Sequence, residues 1–112
     1  MANETLEHLA DRLRQILDSD PRIREKRMFG GLSFLLNGHL FVSARKDGGI
    51  LASVGKAAEA EALRRPGAQP MVHGGRRMSG FLWVDADAIE DDDALRDWVA
   101  LCEKYVATLP PK

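Results

Sequence analysis

Cysteine is almost absent from this sequence: Cys102 is the only one in 112 residues. No disulfide can close within the chain, and a reducing compartment such as the cytoplasm is the natural setting. Long apolar runs are also missing. No stretch approaches the ~20 apolar residues that a membrane helix needs. Residues 1–11 carry acids early and have no apolar centre, so they do not read as a secretory signal. A surplus of one charge is lacking too: 16 Lys and Arg stand against 17 Asp and Glu, for a net charge of -1. Dedicated nucleic-acid binders usually show a basic surplus, so this balance argues against that class while leaving room for a local basic patch. Histidine is scarce and scattered, at His8, His39 and His73, without the local spacing of metal ligands. The sequence therefore predicts no metal and no cofactor.

What is present is an ordinary apolar content of 45% and a charged content of 29%. A chain of this length is one domain, spanning 1–112, and it buries roughly 65% of its unfolded surface without disulfide or metal support. Its first element is a helix over residues 3–19. Leu6, Leu9, Ala10, Leu13, Ile16 and Leu17 follow three- and four-residue steps, with Asn3 as N-cap and Pro21 beyond the end. Residues 24–29 read as a short polar strand. The apolar runs 32–36 and 39–44 flank Asn37-Gly38, a strong hairpin signal, and 50–54 supplies the next strand. Residues 56–65 form a short surface helix with a thin apolar face of Ala57, Ala60 and Leu63. Residues 69–77 read as extended or looped. Residues 78–84 make a later strand, with Met78, Gly80, Leu82 and Val84 on one face and Phe81 and Trp83 on the other. Asp91-Asp92-Asp93 opens a last helix whose stripe is Leu95, Trp98, Val99, Cys102, Tyr105, Val106 and Leu109. The expected fold is α+β: an antiparallel β-sheet, a meander plus a later strand, with N- and C-terminal helices packed against it.

No catalytic constellation stands out, so the chain reads as a non-enzyme. Cys102 lies in the buried stripe of the last helix, where a thiol behaves as a small hydrophobe. The acids at 90–93 read as capping and helix-dipole compensation. Two glycine-rich segments are the binding candidates. The first contains Arg27, Met28, Phe29, Gly30 and Gly31; the second contains His73, Gly74, Gly75, Arg76, Arg77 and Met78. Backbone N–H groups and guanidinium forks beside paired glycines can hold an anion, and Met28, Phe29, Met78, Phe81 and Trp83 could line a groove. The plainer reading is glycines that make turns and bulges, arginines in solvent and a methionine-aromatic core. Arg24, Lys26, Arg27, Arg45, Lys46, Arg64, Arg65, Arg76 and Arg77 make the patch on which direct nucleic-acid binding would depend. The exposed edges of an antiparallel sheet predict a homodimer.

The residues at 27–31 and 32–40, then Arg65-Pro66-Gly67-Ala68-Gln69-Pro70-Met71, Gly75-Arg76-Arg77-Met78-Ser79-Gly80-Phe81 and the close at 108–112, together form an ordered set. This set resembles the TfoX (Sxy) N-terminal domain family over residues 5–112. Arg77 replaces a usual proline, Phe81 replaces tryptophan, and Ser53 stands where many relatives carry arginine. The resemblance implies an antiparallel sheet flanked by helices and a role in regulating competence for DNA uptake. Full-length relatives act as coactivators beside the cAMP receptor protein and carry a second domain, so this chain reads as the N-terminal module alone. The resemblance implies protein partners, the transcription machinery among them, and supplies no catalytic residues.

Overall fold

The computed structural model describes residues 4–28 and 30–112. The expected cap Asn3 and the groove residue Phe29 lie outside them. The first helix, α1, spans Glu4–Leu17 and buries Leu6, Leu9, Ala10 and Leu13. It stops where Asp18 and Ser19 turn into the left-handed region, just ahead of Pro21.

Four strands follow as a meander: β1 (Ile23–Met28), β2 (Gly31–Leu36), β3 (His39–Ala44) and β4 (Ile50–Ser53). Asn37-Gly38 makes the β2–β3 turn as its composition predicts, and the Lys112 backbone N–H donates to the Asn37 carbonyl at 2.9 Å. Helix α2 spans Lys56–Ala62, shorter than expected, and turns cover 63–67. Its inward face differs from the expected one. Glu59 and Ala62 are buried with Ala58 and Leu63 packed behind them, while Ala57 and Ala60 are exposed.

Residues 69–77, expected to be extended or looped, are extended. They form strand β5 (Ala68–His73) and the start of β6 (Arg76–Val84), joined by Gly74-Gly75. Both glycines have positive φ, which a two-residue hairpin turn demands. Pro70 is tolerated because β5 is an edge strand, where a missing N–H breaks no inner ladder. The sheet is six-stranded and antiparallel throughout, in the order β1-β2-β3-β4-β6-β5. The later strand is thus a hairpin, and its second strand lies between β4 and β5. Along β6, Gly80, Leu82 and Val84 are buried as expected, but Met78 is exposed, because the β5–β6 register breaks between Pro70 and Val72. Each sheet edge carries features that oppose pairing: Arg24, Glu25 and Lys26 on β1, and Pro70 on β5.

Helix α3 (Asp92–Val106) follows a 3-10 turn at Ala86–Ile89. The side chain of Asp91 accepts the Asp93 N–H at 2.9 Å, so the expected cap is in place. Leu95, Trp98, Val99, Cys102 and Val106 face inward.

Direct cross-strand partners share a face of the sheet. Leu32 with Ala44, Phe34 with Val42, Val42 with Ala52, and Ala52 with Leu82 make one buried face. These residues join α1 and α3 in a single core cluster. The next row reads Ser33, Ser43, Leu51, Trp83 and Gln69, and it belongs to the other face.

Candidate functional site

The second face is where the sheet makes a cavity. Met28 of β1, Gly31 of β2, Ser43 of β3, Leu51 of β4, Trp83 of β6 and Met71 of β5 all line it, so all six strands contribute. Strands at opposite edges can reach one cavity only if the sheet curls, as right-twisted sheets do. The cavity measures about 520 Å³, and among the described residues none of its lining belongs to a helix. Leu51 and Met71 are nevertheless 1% and 5% exposed, so the walls close over a nearly sealed floor.

Gly30, Arg45, Lys46, Asp47 and His73 form the rim. Gly31 is required by space: a Cβ there would overlap the carbonyl oxygen of Ala44. Arg45 lies over the Trp83 ring with its guanidinium carbon 4.0 Å from the centroid, a cation–π contact. It also meets Asp47 at 3.5 Å, with both side chains substantially exposed, a pairing of little energetic weight. Asp47 in addition accepts the Gly49 N–H at 2.9 Å, which shapes the β3–β4 turn. Beneath the rim, the hydroxyls of Ser33 and Ser43 share one hydrogen bond of 2.6 Å, and both residues are buried.

The sequence-derived candidates divide into three groups. Gly30, Gly31 and Trp83 come together in the cavity, with Met28 beside them. Arg27 is turned away and donates to Glu7 of α1 at 3.1 Å. Gly75, Arg76, Arg77 and Met78 belong to the outer part of the β5–β6 hairpin. Arg76 is exposed opposite His73, Met78 is exposed, and Arg77 donates to Glu59 of α2 at 2.7 Å. Arg27, Arg76 and Arg77 therefore do not converge on one groove.

Glu59 is the buried acid of this region. It accepts the Gly80 backbone N–H at 2.7 Å as well as the Arg77 guanidinium. The Gly80 hydrogen bond first, and the Arg77 one second, hold its carboxyl below the ordinary range. Gly80 has positive φ, and its carbonyl accepts from both Val54 and Gly55. The point where β6 leaves β4 is thus fixed from both sides.

Sequence reading singled out neither Ser43 and Leu51 nor Met71 as cavity residues. One signal was available: Ser33 and Ser43 each interrupt an apolar strand at the position that alternates with core residues Phe34 and Val42. Cys102 is buried in the core, and burial pushes its thiol up to about 12. Among the described residues, no three His, Cys, Asp or Glu side chains gather as metal ligands, and no helix is long and apolar enough to cross a membrane.

Comparison with protein families gives a match to the TfoX N-terminal domain over residues 15–105. Comparison with curated proteins and with solved structures gives no match.

Proposed function

Because the chain belongs to the TfoX N-terminal domain family, we propose that it works in the cytoplasm as a non-enzymatic interaction module of a transcription regulator. Its partner is a protein of the transcription machinery, as the family's link to competence regulation implies. One observation carries this reading. The β5–β6 hairpin runs past the end of β4, whose last residue Ser53 pairs with Phe81. Every residue from 72 to 79 is exposed, including Val72 at 53% and Met78 at 39%. With Tyr105, these are the large apolar side chains left in solvent among the described residues. An exposed methionine and arginine on one ribbon match the composition that protein interfaces favour.

A protein suits this ribbon better than a nucleic acid. Phosphate binding needs available cations. From the basic patch, Arg27 and Arg77 each already face a carboxylate, at Glu7 and Glu59. The test is binding of the full chain to purified cAMP receptor protein on promoter DNA, compared with a Val72→Asp, Met78→Asp double variant. The reading requires binding by the parent chain and its loss in the variant.

A further inference from the structure

The geometry points to a ligand site in the concave cavity: a pocket for one small molecule that joins a flat apolar body to a carboxylate. This goes beyond protein docking on the ribbon and rests on other residues. The cavity of about 520 Å³ lies within the ordinary range for small-molecule sites, about 300–1,000 Å³. Its depth is apolar, from Leu51 and Met71. Both are nearly buried at the base of the cavity. The Trp83 ring, which carries the Arg45 guanidinium on one face at 4.0 Å, adds flat aromatic surface to the lining beside that cation.

The polar side chains of the lining are Ser43, Arg45, Lys46, Asp47 and His73, so cations outnumber the single carboxylate. Two hydroxyls joined by a single hydrogen bond use one of their two protons. The pair of Ser33 and Ser43 therefore keeps one proton to give, and with Ser33 as the donor within the pair that proton is on Ser43, the member that lines the cavity. Arg45 and Lys46 add two positive charges at the rim against one negative charge from Asp47. The Arg45–Asp47 contact of 3.5 Å is loose and solvent-exposed, so a better-placed carboxylate can displace it. A carboxylate only accepts hydrogen bonds, which suits this donor set. A bare inorganic anion would make no use of Leu51, Met71 and Trp83, and a neutral hydrocarbon would leave the hydroxyl and guanidinium unanswered.

The probe is naphthalene-2-carboxylate, titrated into the full chain and followed by amide and indole NMR shifts. The expected result is saturable binding with shifts at Ser43, Leu51 and the Trp83 indole. Naphthalene-2-carboxamide, which keeps the body and loses the charge, binds at least about tenfold more weakly, as does the carboxylate to an Arg45→Gln variant. Acetate, which lacks the body, gives no saturable shift at the cavity. The site is overturned if naphthalene-2-carboxylate gives no saturable shift there, if the amide binds as tightly, or if Arg45→Gln leaves affinity unchanged. Arg45 is a partly exposed rim residue, so the variant keeps the core intact.

Discussion

Glu59 accepts the backbone N–H of Gly80 at 2.7 Å, and its second oxygen holds the Arg77 guanidinium at the same distance. One buried carboxylate thus fixes α2, the bend of β6 and the base of the exposed ribbon together. Replacing it with alanine leaves the buried Gly80 N–H without its acceptor. Glu59→Ala is expected to cost about 2 kcal/mol in urea unfolding, with Glu59→Gln milder because one acceptor oxygen remains.

Acid should loosen the same joint. The carboxyls of Glu59 and Glu25 are held below their ordinary range, by Gly80 and by Arg14 first in each case, and Asp20 is lowered to about 2 by Arg22. A carboxyl whose folded value is depressed binds fewer protons when folded than when unfolded. Its stabilisation is present above the unfolded value, roughly 4–4.5, and is lost as pH falls through the folded value. The urea midpoint should therefore be flat from pH 7 to about 5 and fall below that. Glu59→Gln should flatten part of the fall. A midpoint that rises on acidification would contradict these assignments.

The glycines should differ sharply in what alanine does to them. At Gly31 a Cβ meets the Ala44 backbone, which cannot swing aside, so Gly31→Ala is expected to cost about 1–3 kcal/mol or more. At Gly74 nothing lies within 4 Å, and the cost is the positive φ alone, about 1 kcal/mol. Denaturant midpoints of the two variants give the comparison.

Cys102 should be chemically silent in the folded chain. It is fully enclosed, and burial keeps the thiol protonated to about 12. A chromogenic disulfide reagent at pH 8 should titrate no thiol in native protein and one per chain in guanidinium chloride. Prompt reaction of the native chain would mean that the α3 core opens far more readily than its packing implies.

Local signals made much of the fold readable. The three- and four-residue stripes of α1 and α3, the Asp91 cap and the Asn37-Gly38 turn depend on neighbours in sequence and stand where the pattern puts them, except that Tyr105 of the expected α3 stripe is exposed and Leu109 lies past the helix end. Strand β5 was hidden because Pro70 argues against a strand until its edge position is known. The place of β6 between β4 and β5 is a long-range pairing with no local mark. The cavity was less readable still. It exists because six strands curl together, bringing Met28 and Met71 from opposite edges to one hollow. Arginines beside glycines suggested an anion groove, but Glu7 and Glu59, 20 and 18 residues away from their partners, claim Arg27 and Arg77.

The β5–β6 ribbon is the proposed docking element. Val72 and Met78 are exposed, so Val72→Asp with Met78→Asp should leave unfolding free energy within about 0.5 kcal/mol of the parent. The most direct measurement is equilibrium binding of the parent and the double variant to the cAMP receptor protein on promoter DNA. Saturable binding by the parent and at least about a tenfold loss in the folded variant are expected. No binding by the parent, or equal binding by both, would contradict the proposal.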